Sequence, residues 1–323
     1  MIISKTPFRI SLFGGSTDYE SFYSKYGSLL VGFAIDKYSY ICLRDNPTIF
    51  DYQSKISYSK IETIEDNQKI QHNGVRGVLE YLNLMHNRLE ISCFNDLPAQ
   101  TGVGSSSSFI VGLIHAIRHY QKLKPSPKEL ANSAIHVERK HLKESGGIQD
   151  QIWAAYGGLN SIKIAQDGEF HVRPLPVSSD FIQRFIKRCF LVYTGNSRQS
   201  FSIASSHDTG SEDENKKNIL RLANDGYHAF CNESVDDIGS ILRESWESKK
   251  RISTLVASTY ISDMIDVFYD YGMIGGKLIG SGGSGFIFGI TKDEDSTQRI
   301  KNTFTKNYIN FTISNTGSQI IHG

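Results

Sequence analysis

Apolar and polar positions divide the chain into elements before any single residue is considered. Over residues 2–13, Phe8, Ile10 and Leu12 fall on one face and Arg9 and Ser11 on the other, the two-residue period of a strand, and a turn at Gly14-Gly15 follows. Residues 28–43 and 89–94 read as further strands, the latter from the alternation of Leu89, Ile91 and Cys93. Val75, Val78, Leu79 and Leu82 carry helical spacing, and Phe109, Leu113, Ile114, Ile117 and Tyr120 give residues 105–120 a wide apolar helical face. Ser126-Pro127-Lys128-Glu129 is a capping box with proline at the first helical position, so a helix starts there and is predicted to run to about Lys143, with the chain leaving it by Gly146. Short strands are expected near 159–164 and 169–173.

The Pro- and Ser-containing stretch from Pro174 to Asp180 is taken as a boundary between an N-terminal unit, 1–176, and a C-terminal unit, 177–323. Beyond it the pattern predicts a strand at 189–193 and helices near 214–231, 235–249 and 254–271. A strand–glycine loop–strand unit follows at 277–290, then a helix near 294–306 and a last strand near 308–313. The second half is therefore α+β with an antiparallel sheet. Residues 207–217 are polar enough to read as a surface loop.

Two glycine loops stand out. Pro98-Ala99-Gln100-Thr101-Gly102-Val103-Gly104-Ser105-Ser106-Ser107-Ser108 follows a strand and opens an apolar helix. Glycines let the backbone approach a ligand, and the unpaired N–H groups of a helix's first turn form an anion site to which serine hydroxyls add donors. The bland alternative is a flexible loop with a serine cap. There is no Walker A sequence: Lys277 follows two glycines but precedes Leu278. The second loop, Gly280-Ser281-Gly282-Gly283-Ser284-Gly285, spells GxGxxG. It leads into the strand-like Phe286-Ile287-Phe288 instead of a helix, which argues against a dinucleotide-binding unit and for a tight strand-to-strand connection.

Composition narrows the partners. With 323 residues, 39% hydrophobic and 21% charged, the chain fits a globular protein of two domains. A net charge of +1 gives no electrostatic case for nucleic acid or an anionic membrane. Cys42, Cys93, Cys189 and Cys231 are far apart, which suggests neither a zinc cluster nor a disulfide framework. No apolar stretch approaches the ~18 residues of a membrane span, and residues 1–6 lack a signal pattern. A cytoplasmic location is the expectation.

Three charged residues carry candidate chemistry. Ala131, Ile135, Glu138 and Leu142 share one helical face, so the Glu138 carboxylate points inward, either to a metal or to a buried arginine. Asp150 is expected on a short segment past the helix end, placed to orient a hydroxyl or take its proton, or else serving as a turn aspartate. Arg9, permanently charged, can stabilise phosphoryl oxygens or favour the ionised form of a nearby carboxylate; an edge salt bridge is the alternative. His136 and His141, five apart, do not form HExxH and are read as surface or core histidines.

Taken in order, Thr6-Pro7-Phe8-Arg9-Ile10-Ser11-Leu12-Phe13-Gly14-Gly15-Ser16-Thr17-Asp18-Tyr19, the Pro98–Ser108 loop and Lys277 through Gly285 resemble the three motifs of the GHMP kinases. The resemblance implies an α+β fold, with a ribosomal-protein-S5-like N-terminal half and a ferredoxin-like C-terminal half. It also implies ATP and Mg2+ as cofactors. By the same resemblance Asp150 and Arg9 are catalytic, Gly102, Val103, Gly104, Ser105, Ser106, Ser107 and Ser108 hold ATP, and Ser106 (or Ser105 in the same run) with Glu138 holds the metal. Substrate contacts fall to Gly14, Gly15, Ser16, Thr17, Asp18, Gly147, Gly282 and Gly283. Galactokinases carry Gly-Glu-His-Thr-Asp-Tyr in the first motif, so here Gly15 replaces an acid, which removes bulk and negative charge and favours a larger, phosphorylated substrate. This form is similar to heptose 7-phosphate kinases and fucose kinases. Tyr193-Thr194-Gly195-Asn196-Ser197-Arg198-Gln199-Ser200 resembles a segment of the former, and Arg198 is the candidate for a distal phosphate. The implied partner is a small sugar or sugar phosphate, without nucleic acid or membrane; a homodimer is compatible. The implied activity is an anomeric sugar kinase acting on heptose 7-phosphate. The alternatives are a fucose or other hexose 1-kinase and a non-catalytic ligand-binding regulator on the same fold.

Overall fold

A computed structural model describes residues 1–195, 211–252, 258–280 and 284–323. Strand β1 (Ile2–Phe13) leads through helix α1 (Glu20–Tyr26) into the antiparallel strand β2 (Ser28–Asp45), with Arg9 opposite Ala34 and Ser11 opposite Gly32. Strands β3 (Ser54–Ser57) and β4 (Ile61–Ile64), helix α2 (Asn73–Tyr81), strand β5 (Leu89–Asn95) and helices α3 (Ser105–Tyr120), α4 (Pro127–Ile135) and α5 (Gln149–Tyr156) come next. At 18 residues β2 is far longer than the usual strand of about 5–6 residues, so its far edge serves two partners. Ser39–Asp45 pair with β5, and Ser28–Phe33 pair with β6 (Leu159–Ile164), which in turn pairs with β7 (Phe170–Pro174).

The remaining elements are α6 (Ser179–Lys187), β8 (Cys189–Tyr193), α7 (Ser211–Cys231), α8 (Val235–Ile252), α9 (Thr259–Asp270), β9 (Met273–Leu278), β10 (Phe286–Thr291), α10 (Glu294–Thr303) and β11 (Gln319–His322). The first sheet runs β11-β1-β2-β5-β3-β4 with β6 and β7 on the forked edge, and β8-β10-β9 form a second, antiparallel sheet. Helices and two largely antiparallel sheets are both present, in keeping with the α+β expectation. Phe8, Ile10 and Leu12 point into a core that also contains Phe181, Phe185 and Phe230 of α6 and α7 and Phe286 and Phe288 of β10. Each fully buried phenylalanine there contributes about 1.5–3 kcal/mol of hydrophobic stabilisation. The opposite face of β1 carries Arg9 and Ser11, which the same strand alternation turns into a cleft.

Several expectations need correction. The capped helix does not run regularly to Lys143: α4 ends at Ile135 and His136–His141 form a π-helical turn, with the Leu142 N–H bonded to Val137 O five residues back (2.8 Å). Asp150 accordingly sits in the first turn of a separate helix, α5, instead of trailing a helix end. Residues 308–313 make only the isolated bridges Val192–Tyr308 and Ile35–Ile313; the last strand is β11, which adds to the outer edge of β1. Of the polar stretch 207–217, residues from Ser211 onward are already helical in α7, and the earlier ones lie outside the described residues. Helix α6 begins at Ser179, inside the stretch read as irregular, where Ser178 Oγ caps it by accepting from the Phe181 N–H. No helix among the described residues is long and apolar enough to cross a membrane.

Candidate active site

A cleft of about 1520 Å3 opens along β1, the 98–107 loop and the starts of α3 and α5. Ligand pockets usually hold about 300–1,000 Å3, so this one has room for two small molecules side by side. Its lining includes Tyr58, His72, Phe94 and Phe109, then Arg9, Ser105–Ser107, Glu138 and Asp150, and also Gly15, Ser16, Asp18, Tyr19, Gly147 and Lys216.

The first glycine loop is fastened to β1 chiefly through Arg9. The Arg9 backbone N–H donates to Val103 O (3.0 Å) and Arg9 Nη1 donates to Gly102 O. Gly102 has φ +86°, and a Cβ there would lie 2.2 Å from Ile279 O. From the other side, a Cβ on Gly285 (φ +129°) would lie 2.2 Å from Thr101 O. The two glycine loops thus interlock backbone to backbone, an approach that side chains would forbid. Gly104, left-handed at φ 76°, is the N-cap of α3 and turns the unpaired N–H groups of the first helical turn toward the cleft.

The serines divide the work. Ser105 Oγ accepts from the Gln100 N–H (3.2 Å), Ser107 Oγ donates to Glu138 Oε2 (3.1 Å), Ser108 Oγ donates to Pro7 O (2.8 Å), and Ser106 is exposed on the cleft wall.

Arg9 and Asp150, 141 residues apart, form a two-pronged pair: Nε donates to Oδ1 and Nη2 to Oδ2, each at 2.8 Å. Both are held by regular elements, Arg9 in mid-strand and Asp150 at a helix start, so the carboxylate is fixed in the cleft with lone pairs left for a substrate hydroxyl. Beside them Asp18 is fully buried, its Oδ1 and Oδ2 accepting from the N–H groups of Ser16 and Gln149 (both 3.2 Å). A Cβ at residue 147 would lie 1.8 Å from Asp18 Oδ2, so the carboxylate occupies the space that Gly147 vacates.

Burial, followed by the charge of Asp150, raises the pKa of Asp18 above 3.8. A carboxyl that holds its proton longer folded than unfolded contributes stability that is complete below pH 3.8 and is lost as pH rises toward the folded pKa. Asp18→Asn, which cannot titrate, is therefore expected to gain in melting midpoint relative to the parent as pH rises from about 4 to 7. Parallel melting curves across that range would refute it.

The π turn delivers Glu138 to the wall of the cleft at 1% exposure. Its Oε2 accepts from Ser107 Oγ, Gln151 Nε2 (2.8 Å) and Arg139 Nη2 (2.7 Å), while its Oε1 is buried without a partner. Burial pushes its pKa up to about 7, against the lowering pull of Arg139, Ser107 and Gln151. A buried carboxylate oxygen left unsatisfied is costly, and a hard cation is a fitting partner for it. Among the described residues no group of three His, Cys, Asp or Glu could hold an ion alone. Mg2+ ordinarily needs only one or two carboxylates together with phosphate oxygens, so the residues present fit it.

Of the residues singled out in the sequence, Arg9, Gly15, Ser16, Asp18, Gly102, Gly104, Ser105, Ser106, Ser107, Glu138, Gly147 and Asp150 line the one cleft. Gly14, Thr17, Val103 and Ser108 do not. Thr17 Oγ1 turns back to Gly14 O (2.7 Å) to close the turn, Val103 is in the core, and Ser108 is spent on Pro7. Arg198, Gly282 and Gly283 lie outside the described residues. Sequence reasoning missed Ser107 and Gln151 as partners of Glu138 and passed over Lys216, Lys249 and Lys277 as cleft-lining cations. Arg139 was discoverable as the residue next to Glu138, and its Nη2 donates to the carboxylate within the π-helical turn.

Residues 73–158 match the family model for the GHMP kinases N terminal domain, and residues 227–310 match that for GHMP kinases C terminal. The chain is 28% identical over 314 residues to the D-glycero-alpha-D-manno-heptose 7-phosphate kinase of Campylobacter jejuni, covering 89% of this chain and 88% of that relative. It is 22% identical over 315 residues to the mevalonate kinase of Methanocaldococcus jannaschii, covering 93% and 95%. The crystal structure of a D-glycero-D-manno-heptose 1-phosphate kinase from Bacteriodes thetaiotaomicron superposes with a TM-score of 0.81 over 100% of this chain and 99% of that one, at 23% identity, a likeness of fold.

Proposed function

The chain belongs to the GHMP kinase family, and on that premise we propose that it transfers the γ-phosphoryl group of ATP to the anomeric hydroxyl of D-glycero-D-manno-heptose 7-phosphate, giving the 1,7-bisphosphate. The observation that supports the transfer chemistry is the Arg9–Asp150 pair, which lines one cleft together with the first glycine loop and with Gly15, Ser16, Asp18 and Gly147. ATP takes the loop end, with its phosphates against the Gly102–Ser107 backbone and hydroxyls. The sugar takes the end lined by Gly15, Ser16, Asp18 and Gly147. Asp150 accepts the hydroxyl's hydrogen bond and aims the oxygen at the γ-phosphorus. Both of its oxygens are already engaged by Arg9, which favours orientation over full proton abstraction. Arg9 offsets the charge that builds on the phosphoryl oxygens. Glu138 and Ser106 would hold Mg2+, which when bound neutralises charge on the β- and γ-phosphate oxygens. A non-catalytic regulator has no use for a fixed hydroxyl-orienting pair, so catalysis is the stronger reading.

The heptose 7-phosphate assignment draws on the Campylobacter relative and on Gly15. A Cβ at Gly15 would meet only Ser11 Oγ at 3.5 Å and Gln149 Nε2 at 3.7 Å, so an acid there would fit and would bring negative charge to the sugar end. Arg198 keeps its proposed role as a fork of donors for the distal phosphate; an Arg198→Ala variant that raised KM equally for phosphorylated and unphosphorylated sugars would end that idea.

ADP release from MgATP is to be measured with heptose 7-phosphate, fucose, galactose and mannose. Heptose 7-phosphate is expected to give the highest kcat/KM. Gly15→Glu is expected to lower it by about tenfold for the phosphorylated sugar, the size of one like-charge contact of ~1.4 kcal/mol, with a smaller effect on neutral sugars. A preference for fucose in the unaltered protein would transfer the assignment to a hexose 1-kinase.

A further inference from the structure

Glu138 is held unevenly. Its three hydrogen-bond donors, Ser107 Oγ (3.1 Å), Gln151 Nε2 (2.8 Å) and Arg139 Nη2 (2.7 Å), all converge on Oε2, and Oε1 is buried without a partner. A carboxylate has about four lone-pair sites shared over its two oxygens, so one oxygen is oversubscribed while the other is left bare. The donors come from three places, α3, α5 and the π-helical turn, so the plane of the carboxylate cannot turn without breaking contacts to all of them. A carboxylate fixed through one oxygen keeps the other in one direction, which suits a cation that demands near-ideal geometry.

The donors differ in what they add. Ser107 belongs to the helix opened by the first glycine loop. Arg139 brings the countercharge and is itself tied down, its Nη1 donating to Glu144 O (2.7 Å). Gln151 brings no charge, is 0% exposed, and leaves its own Oε1 buried without a partner. An unpaired amide oxygen in the interior is unfavourable, so stability alone gives no reason for glutamine over an apolar side chain of the same length. Gln151 follows Asp150 in the first turn of α5, where successive residues point about 100° apart. Asp150 meets Arg9 and Gln151 meets Glu138, so one helical turn places the hydroxyl-orienting carboxylate and anchors Glu138 together.

We propose that Gln151 is a positioning residue for the divalent cation: by occupying Oε2 of Glu138 it keeps Oε1 free and aligned for the metal that accompanies the nucleotide. The role rests on the sugar-kinase reading above, with Glu138 as a metal-holding residue, and deepens it with a side chain outside the three motifs. Hydrogen-bond partners of a metal-holding group commonly govern metal affinity by about 10–100-fold. Because Gln151 is neutral, replacing it changes the geometry at Glu138 without changing the charge of the site.

The test uses the full chain with ADP and Mn2+, the bound ion being read from the loss of the free-ion paramagnetic resonance signal well below the melting midpoint. Gln151→Met keeps the length of the side chain and removes its donor; Gln151→Asn, a milder change should the first variant fail to fold, leaves the amide one methylene short of the carboxylate. Both are expected to weaken Mn2+ binding by about 10–100-fold, with ADP affinity measured without metal unmoved. In a Glu138→Ala background the same replacements are expected to cost nothing further in Mn2+ affinity, because the group they align is gone. A purely structural glutamine would change the melting midpoint and leave the metal affinity of the folded protein alone. Mn2+ affinity within about threefold of the parent in the folded variants would overturn the proposal, as would a loss that persists undiminished in Glu138→Ala. A parent protein that binds no Mn2+ together with ADP would fail one step earlier, removing the metal from Glu138 and the positioning role with it.

Discussion

Asp150→Asn is expected to lower turnover by on the order of 10²–10⁴-fold while leaving ATP affinity unchanged within a factor of about three (~0.65 kcal/mol). The reason lies in the pair it breaks. Arg9 Nε and Nη2 each hold one Asp150 oxygen at 2.8 Å, so the carboxylate has a single orientation and presents its remaining lone pairs to the cleft. Asparagine can accept from only one of the two donors, and its amide nitrogen would face the other, so the side chain must turn and the hydroxyl loses its acceptor. The ATP loop is tied to Arg9 through contacts that the substitution does not touch, the Arg9 N–H to Val103 O and Arg9 Nη1 to Gly102 O. Single-turnover kinetics and nucleotide titration would separate the effects. Turnover within tenfold of the parent would remove Asp150 from the chemistry; a matching loss of ATP binding would make it a structural residue.

The second large effect is expected at Gly102. Alanine there must adopt φ +86° and place its Cβ 2.2 Å from Ile279 O, a backbone atom that cannot swing aside. Strain and displacement together should cost about 3 kcal/mol, which at this chain length corresponds to a melting midpoint lower by about 4–5 °C. Because the displaced neighbour is the other glycine loop, nucleotide affinity should fall as well. Gly15→Ala is the matched control: its φ is ordinary and its Cβ contacts are 3.5 and 3.7 Å, so melting and ATP affinity should stay at parental values. Equal melting curves for Gly102→Ala and Gly15→Ala would show that the loops are not locked together.

What the sequence disclosed and what it hid have physical reasons. Strand β1 and helix α3 were legible because their periods are clean and their ends are marked, by Gly14-Gly15 in one case and by the Gly102–Ser105 turn in the other. The capping box fixed the start of α4 to the residue. Its end was not legible, since a π turn keeps the composition of an α-helix and only changes which carbonyl each N–H reaches. Strands β3 and β4, four residues each, are too short for alternation to show. The inward direction of Glu138 followed from its apolar neighbours, whereas its three hydrogen-bond donors come from α3, α5 and the adjacent residue. That Arg9 meets Asp150 was legible only through resemblance, because no local rule links residues 141 positions apart. Lys277 was noticed for failing to complete a Walker loop and as the head of the third motif, but its burial was not legible in a glycine-rich stretch.

Strand β11 has a consequence for how the protein is made. Gln319–His322 close the outer edge of β1, and Ser318 Oγ bonds across to Thr6 Oγ1 (2.8 Å) and His115 Nδ1 (3.0 Å), which lie 312 and 203 residues earlier in the chain. During translation the arginine-bearing strand emerges long before its outer neighbour, whose contact residue lies 312 positions later, and one flank of its peptide groups stays bare in that interval. A nascent chain in that interval offers a template for stray pairing until β11 covers the edge.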